Sequence, residues 1–272
     1  MIFDLSGLRL SLRGLPDPLG LRIEEDWAPF LARGTEDLFL DVEVEAEVEG
    51  DDPGPFDPKS MTAAFDASTA RYHMKEGSAE VPLGGPARVR LLRSTGEKQY
   101  FALVNLVCAA LAWRLPSRGG ALLHAAGIVL EGRAFVLVGP EGSGKTTWAA
   151  LARSAGARVL SDDIVLVEAG PGGAQALGSP FRAREFGPMR PGRWPLAAIL
   201  FIAHGSASAL APVPHLLARA RLTANLPFVA EAMGSDERSA KVVDSLVAAV
   251  PVRTLTFARD PSFLDLLRGF EG

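Results

Sequence analysis

The chain has 272 residues, of which 48% are hydrophobic and 22% charged, and these proportions exclude general disorder. Its 28 basic and 32 acidic residues give a net charge of −4, without the basic surplus typical of nucleic-acid-binding proteins. The single cysteine, Cys108, cannot form an intramolecular disulfide and fits a reducing compartment. We therefore expect a cytoplasmic protein without a nucleic-acid partner, built as one large domain or two modest ones.

Neither a secretory signal nor a membrane span is predicted. The N-terminal sequence carries Asp4 and lacks a basic start followed by an apolar run, which a secretory signal requires. The longest apolar stretch, Phe101–Trp113, contains Asn105 and is shorter than the roughly 20 residues that cross a bilayer. We therefore expect no membrane partner.

The first 118 residues are predicted to form a β-rich domain. From Leu38, the sequence LFLDVEVEAEVEG alternates apolar and acidic residues, which predicts a strand with one buried face. Shorter strands are predicted over residues 70–75 and 87–92, and the second carries Arg88 and Arg90. The acidic face is either a docking surface for a basic partner or a solvated face paired across the sheet with these arginines; we favour the second interpretation.

A buried helix and a glycine-rich break mark the predicted domain boundary. Residues 97–115 are apolar almost all round, which predicts a buried helix, and Pro116 and the pair Gly119–Gly120 follow it. The later pattern of strand, strand, glycine-rich turn, helix and strand indicates an α/β domain. The predicted fold is therefore α/β over residues 119–272, preceded by a smaller β-rich (α+β) domain over residues 1–118. A strand is also predicted over 252–257, and amphipathic helices over 216–226, 238–250 and 261–270.

A short strand and a glycine-rich loop form the most informative motif. The strand FVLV at 135–138 is followed directly by GPEGSGKT at 139–146, which matches G-x-x-x-x-G-K-[ST]. Glycines allow successive N–H groups to turn toward one anion, and the helix predicted from 148 adds the positive end of its dipole. A turn without a ligand is the alternative, but the flanking strand and helix favour nucleotide binding. The predicted nucleotide-binding residues are Gly139, Glu141, Gly142, Ser143, Gly144, Lys145, Thr146 and Thr147.

Two adjacent carboxylates follow the loop at short spacing. A strand is predicted over 157–160, and Asp162 and Asp163 lie at its end, the edge of an α/β sheet where ligands bind. One carboxylate can hold magnesium, and the other can accept a proton from an attacking hydroxyl. An ordinary turn or helix cap is the alternative for such a pair, and the short spacing from Lys145 favours the catalytic interpretation.

Three segments together resemble the HPr kinase/phosphorylase family, and more closely its shorter bacterial relatives. They are HAAG at 124–127, GRAFVLVGPEGSGKTT at 132–147 and GARVLSDDIVLVE at 156–168. The resemblance covers about residues 121–268 and is weaker before them. It implies a P-loop kinase domain of the HPr kinase/phosphoenolpyruvate carboxykinase type that uses ATP and Mg²⁺.

The resemblance also implies roles for individual residues. Lys145 and the loop amides would hold the triphosphate, Asp162 would act as acid/base at the acceptor hydroxyl, and Thr146 and Asp163 would bind magnesium. The roles of the two aspartates can be exchanged in this assignment. His124 would lie near the phosphates, although a lone histidine in an apolar strand is also compatible with a core position.

An acceptor-side loop is expected in the segment GSPFRAREFG at 178–187. There Arg182, Arg184 and Glu185 would clamp the transferring phosphoryl group or orient the acceptor, and we favour Arg182 and Glu185. The alternative is that Arg182 and Arg184 are surface charges on a loop. The glycine-rich second signature of true HPr kinases is absent. The expected acceptor is therefore a serine of a different peptide or protein, or a small hydroxylated metabolite.

The predicted function is an ATP-dependent kinase that transfers the γ-phosphoryl group to a hydroxyl acceptor with Mg²⁺. Two alternatives stay open: a nucleotide-binding regulatory or scaffold protein without phosphotransfer, and a carboxykinase-like enzyme acting on an organic acid. Trp148 either anchors the helix after the loop or contributes to a purine pocket. The sequence leaves open whether the chain forms a homo-oligomer.

Overall fold

The computed structural model describes residues 1–46, 57, 60–92, 94–181, 186, 189–229 and 236–271. The chain divides into two compact units, Met1–Leu115 and Pro116–Gly272, close to the boundary expected after residue 118. The elements of the first unit are β1 (Ile2–Asp4), β2 (Arg9–Arg13), α1 (Asp17–Asp26), β3 (Leu38–Ala46), β4 (Thr62–Phe65), β5 (Thr69–Met74), β6 (Gly77–Pro82), β7 (Ala87–Leu91) and α2 (Gly96–Arg114).

The first unit contains a seven-stranded mixed sheet in the order β1-β2-β3-β7-β6-β5-β4. Strand β3 is parallel to both β2 and β7, and the other pairs are antiparallel. The predicted alternation of β3 is confirmed over its described length, because Leu40, Val42 and Val44 are buried. Residues 47–49 of the predicted strand lie outside the described residues.

The acidic face of β3 is paired across the sheet, as predicted. Glu43 lies opposite Arg88 and Glu45 opposite Arg90, and Nε of Arg88 is 3.9 Å from a carboxylate oxygen of Glu43. This face also carries a cavity of about 640 Å³, lined by glutamate and arginine side chains of neighbouring strands. The face carries both acidic and basic side chains. It is therefore not a purely acidic docking surface for a basic partner.

Helix α2 is the core helix of the first unit and confirms the helix predicted from its apolar composition. It packs on strands β3, β5, β6 and β7, and Oγ1 of Thr95 caps its first turn by accepting a hydrogen bond from the Lys98 N–H. By length and composition the segment Gly96–Arg118 could also cross a membrane, but 72% of its apolar window is buried within the protein. This burial is the pattern of a core helix.

Arg114, at the end of α2, is buried and satisfies backbone carbonyls. Its guanidinium donates to the carbonyl of Pro82 at 2.7 and 3.0 Å, to that of Phe39 at 3.4 Å, and to that of Gly85. Burial lowers the pKa of Arg114. The side chain therefore joins the end of the helix to strand β3, to the end of β6 and to the loop that follows β6.

Arg114→Leu is expected to lower the free energy of unfolding by about 2–3 kcal/mol, because it leaves buried carbonyls without donors. Urea denaturation followed by the fluorescence of Trp27 and Trp113, both buried in the first unit, measures this. The matched control is Arg88→Leu, whose side chain is 71% exposed, with an expected loss below about 0.5 kcal/mol. Equal midpoints for the two variants would contradict the proposed role of Arg114.

The second unit begins with a long strand and contains most of the motifs. Its elements are β8 (Gly120–Leu130), β9 (Arg133–Val138), α3 (Lys145–Ser154), β10 (Arg158–Ser161), β11 (Ile164–Gly170), β12 (Gly173–Leu177), β13 (Arg193–His204), β14 (Ala209–Pro212), α4 (His215–Thr223), α5 (Glu237–Ala249), β15 (Val252–Phe257) and α6 (Phe263–Arg268). The four helices and the strands β9, β10 and β15 correspond to predicted elements, with ends shifted by a few residues at most.

The sheet of the second unit is mixed. Its order is β10-β8-β11-β12-β13-β15-β14, and β9 pairs with both β8 and β13. Among the described strands of this second sheet, the parallel pairs are those of β13 with β9 and with β15. The regular parallel alternation of an α/β sheet is therefore not found. The reason is that β8–β9 and β11–β12 are hairpins, and two-residue turns join antiparallel strands; Glu131 and Gly132 both have positive φ, as a tight hairpin turn requires.

Asp236 begins α5 and is buried at its N-cap. One carboxylate oxygen accepts hydrogen bonds from the Arg238 N–H at 3.3 Å and from Arg238 Nε at 2.7 Å, and the other from Ser239 Oγ at 2.6 Å. Burial alone would raise the pKa of Asp236, but these hydrogen bonds and the Arg238 charge outweigh it and lower the pKa. The ionised carboxylate is therefore the form that stabilises the fold.

The stability given by Asp236 is expected to be present above its unfolded-state pKa of about 3.9 and lost as the pH falls through its lower folded-state pKa. Asp236→Asn should lower the free energy of unfolding by about 1 kcal/mol at pH 7, with a gap to wild type that shrinks below about pH 4. Denaturation curves from pH 7 to pH 2.5 measure the gap. Glu237→Gln, at the exposed next position, is the control, and a gap independent of pH would be inconsistent with this assignment.

Candidate active site

The sheet of the second unit brings two predicted features to one edge. They are the glycine-rich loop at 139–146, here called the phosphate loop, and the aspartate pair Asp162 and Asp163. Val138, the last residue of β9, lies opposite Ala125 of β8, and the Ala125 N–H donates to the carbonyl of Asp163 at 2.9 Å. Strands β9 and β10 are both antiparallel to β8, so their C-terminal ends lie at the same edge. The start of the loop and Asp163 are therefore two strand spacings, or about 10 Å, apart.

The glycines of the loop are required for two different reasons. Gly142 and Gly144 have φ of +73° and +98°, conformations that residues with a side chain rarely adopt. Gly139 does not have a positive φ; a Cβ atom there would lie 2.7 Å from Cγ2 of Ile202 and 2.8 Å from Oγ of Ser143. Gly139 is therefore required because a side chain has no room there. It is not required for the backbone freedom that the sequence indicated.

A cavity of about 410 Å³ lies at the end of this loop. Helix α3 begins here, and the first N–H groups of a helix have no acceptors within it, so they are available to an anion. Of the predicted nucleotide-binding residues, Gly139 and Ser143 do not line the cavity. The lining residues are His124, Glu141, Gly142, Gly144, Lys145, Thr146, Thr147, Asp162 and Asp163.

Lys145 is held by three acceptors at the base of the cavity. Its Nζ donates to the carbonyls of Gly139 at 2.8 Å and Pro140 at 3.0 Å, and it lies 3.0 Å from Nε2 of His124. The residue is only 6% exposed. The ammonium group is thus fixed inside the loop rather than extended into solvent.

The charge of Lys145 is balanced by nearby carboxylates. Burial lowers the pKa of Lys145, and the carboxylates of Asp163, Glu141 and Asp162 act in the opposite direction. An added polyanion would interact favourably with this ammonium group, because it would supply the opposite charge at a desolvated position.

His124 connects Lys145 to Asp163. Its Nδ1 lies 3.2 Å from Oδ1 of Asp163, while Nε2 faces the ammonium group of Lys145. Because an ammonium group can only donate, Nε2 is the acceptor, and the ring proton on Nδ1 is directed to the carboxylate. His124 lines the cavity, so the core position considered from the sequence does not describe it.

The two aspartates have different surroundings. Asp162 is 5% exposed and accepts a hydrogen bond from Oγ1 of Thr146 at 3.0 Å, whereas the Asp163 side chain is 59% exposed. In P-loop NTPases, magnesium is held by the loop Ser or Thr and a strand-end Asp. Asp162, and not Asp163, therefore lies beside the hydroxyl of Thr146, whereas the resemblance implied Asp163 as the partner of Thr146 at magnesium.

The predicted acceptor-side loop and Trp148 have different outcomes. Arg182 and Glu185 lie outside the described residues, although the carbonyl of Phe181 accepts a hydrogen bond from Ser161 Oγ at 2.8 Å, beside the aspartate pair. Trp148 is fully buried, with its ring centroid 5.6 Å from that of Phe263. Trp148 therefore anchors α3, and the purine-pocket alternative is wrong.

Sequence reasoning missed two residues beside the loop. A Cβ atom on Gly144 would lie 3.7 Å from both Cε1 of His204 and Cδ1 of Ile202, at the end of β13. Strand β13 is the parallel neighbour of β9, so its C-terminal end lies beside the loop. The apolar run AAILFI at 197–202 indicates such a strand. Nothing in the run indicates that the strand pairs with β9 and ends beside the loop.

Residues 135–264 match the family model described as an AAA domain. The match includes β9, the phosphate loop, the aspartate pair and the strands β13 and β15. This part of the chain is thus a P-loop-type, kinase-like nucleotide-binding domain within a mixed α/β fold. The match does not single out the HPr kinase family, and none of the curated proteins matches the chain.

Proposed function

We propose that the second unit is an ATP-dependent kinase that transfers the γ-phosphoryl group of MgATP to a hydroxyl acceptor, a serine of a peptide or protein or a small metabolite. The observation that carries this proposal is the exposed carboxylate of Asp163, which His124 holds in the same cavity as the phosphate loop. A protein that only binds a nucleotide needs the loop and a metal-side carboxylate. It has no need for a second, oriented proton acceptor.

The residues of the loop fit the MgATP substrate. Lys145 and the N–H groups at the start of α3 would hold the β- and γ-phosphates. The hydroxyl of Thr146 and the carboxylate of Asp162, 3.0 Å apart, are the hard oxygen donors that Mg²⁺ prefers. The metal would be bound together with the nucleotide and would supply neutralisation of charge on the phosphates.

Asp163 would accept the proton of the acceptor hydroxyl. As the hydroxyl oxygen forms a bond to the γ-phosphorus, the bond between that phosphorus and the β–γ bridging oxygen breaks, and ADP leaves with the electron pair. Nδ1–H of His124 fixes the direction of the Asp163 carboxylate. Positioning and charge neutralisation supply most of the rate enhancement in such reactions.

The resemblance to HPr kinases supports the same reaction class. It rests on the segments around His124, the loop and the aspartate pair, which the structure places around one cavity. Because the second signature of true HPr kinases is absent, the proposal includes neither HPr as the acceptor nor the reverse phosphorylase reaction.

The full chain incubated with Mg²⁺ and γ-³²P-labelled ATP tests the proposal, with a degenerate serine peptide library and a panel of hydroxylated metabolites as acceptors. Transfer of label to at least one acceptor is expected, with Asp163→Asn as the control for contaminating kinases. Nucleotide binding without transfer to any acceptor would favour a regulatory or scaffold protein instead. ATP-dependent decarboxylation of oxaloacetate would favour a carboxykinase-like enzyme.

A further inference from the structure

A second cavity of the same unit, of about 250 Å³, lies between the C-terminal half of α3, strand β10 and the residues Phe186, Met189 and Arg190. Its described lining contains three arginines and no acidic residue, although the whole chain has a net charge of −4. The remaining lining residues are apolar. The complete described set is Arg153, Ala157, Arg158, Val159, Leu160, Phe186, Met189 and Arg190.

Two of the three arginines of this cavity, Arg158 and Arg190, carry the charge argument. Arg158 and Arg190 form no ion pair with any described residue. The guanidinium carbon of Arg158 lies 5.6 Å from the Trp194 ring centroid, and that of Arg153 lies 5.9 Å from the Phe186 ring centroid. Stacking of this kind orients a guanidinium plane and keeps its N–H donors at the edge, where a carboxylate can bind.

The cavity is connected to the candidate active site by two rigid elements. Along β10, Arg158 precedes Asp162 by four residues, or about 13 Å at 3.3 Å per residue. Along α3, Thr146, Ala150 and Arg153 are exposed on one face of the helix, and Thr146 and Arg153 are about 10 Å apart along its axis. An extended peptide covers this distance with three or four residues.

We propose that this arginine pocket binds an acidic side chain of a peptide acceptor, three or four residues from the hydroxyl that is phosphorylated. The inference rests on the proposed kinase function and selects a peptide over a small metabolite, because a small metabolite cannot reach both places. The apolar floor formed by Phe186 and Met189 accommodates the methylene groups of a glutamate. Arg158 and Arg190, which form no ion pair with any described residue, supply charge complementarity.

A binding experiment tests the pocket without requiring turnover. Two fluorescein-labelled peptides, EAAASAAAE and its twin QAAASAAAQ, are titrated with the full chain, and fluorescence anisotropy gives their dissociation constants. The glutamate peptide is expected to bind wild type about tenfold more tightly than its twin. Equal affinities for the two peptides would overturn the proposal. The absence of binding of the glutamate peptide at protein concentrations up to about 1 mM would also overturn it.

Charge reversal identifies the pocket as the origin of the preference. Arg190→Glu is expected to abolish it, and Arg158→Gln to reduce it several-fold, while Lys241→Glu on the exposed face of α5 retains it. Unchanged affinity for a fluorescent ATP analogue shows that each variant is folded. A preference for the glutamate peptide that survives both arginine substitutions contradicts the assignment. Displacement of the peptide by free glutamate at the same concentration as the peptide indicates a small-anion site instead.

Phosphotransfer to the same two peptides separates this proposal from the kinase function. If both proposals hold, the glutamate peptide has a kcat/KM about tenfold higher than its twin. Equal transfer to the two peptides contradicts the pocket alone. The absence of transfer to any acceptor contradicts the kinase function. The pocket is then still tested by the binding preference and by its loss in Arg190→Glu, because neither requires turnover.

Discussion

Asp163→Asn is expected to lower kcat for phosphotransfer by about 10²- to 10⁴-fold, the range typical for loss of a general base. The amide cannot accept the proton of the acceptor hydroxyl, although it occupies the same space beside Nδ1 of His124. Affinity for MgATP should change little, because Asp162 and not Asp163 accepts the hydrogen bond of Thr146. Single-turnover kinetics with a saturating acceptor, together with the dissociation constant of a fluorescent ATP analogue, measure the two effects separately.

Asp162→Asn is the matched control for this prediction. It makes the same chemical change at the neighbouring position and is expected to raise the Mg²⁺ concentration needed for half-maximal nucleotide binding. Asp163→Asn should leave that concentration unchanged. If Asp163→Asn shifts the Mg²⁺ requirement and Asp162→Asn does not, the assignment first implied by the resemblance is correct, with Asp162 as the base.

The sequence predicted elements wherever local periodicity decides the structure. The alternation in β3 and the all-round apolar composition of α2 can each be read from residues that are adjacent in the sequence. The predicted strand at 252–257 coincides with β15. Helix α1 was not predicted, since its ten residues DPLGLRIEED bury only Leu19, Gly20 and Ile23. A short helix of this kind is stabilised mainly by tertiary packing.

Sheet order depends on contacts between distant parts of the chain and could not be read from periodicity. Strand β3 pairs in parallel with β2 and β7, and β13 joins β12, β9 and β15. The pattern of strand, loop, helix and strand around residues 135–160 suggested an α/β unit, which the structure contains. Nothing in that pattern indicates the antiparallel hairpins that surround it.

The positions of the two aspartate side chains show the limit of sequence reasoning at the site. The motif placed Lys145, Thr146 and the aspartate pair at one edge, because ligands of α/β sheets bind at the carboxyl ends of the strands. Which aspartate faces Thr146 depends on side-chain alternation, since successive residues of a strand point to opposite faces. The pairing of β10 with β8 shifts register between Val159 and Ser161, and such a bulge changes the direction of the residues after it.

Lys145→Met is expected to weaken MgATP binding by about 100-fold, because it removes a charged donor from a desolvated phosphate site. At an ATP concentration of about 100 times the wild-type dissociation constant, wild type should gain about 2.7 kcal/mol of stability and the variant only about 0.4 kcal/mol. Thermal denaturation with and without MgATP measures this difference.

The fold itself should tolerate Lys145→Met, and this separates a binding defect from unfolding. Burial lowers the pKa of Lys145, which means that the site disfavours the charged form, and methionine fills the space without a charge. The unfolding free energy without nucleotide should therefore stay within about 1 kcal/mol of wild type. Lys241→Met, on the exposed face of α5, is the matched control and should keep the full stabilisation by MgATP. If Lys145→Met keeps it as well, the ammonium group does not contact the phosphates, and the loop binds its ligand through backbone N–H groups alone.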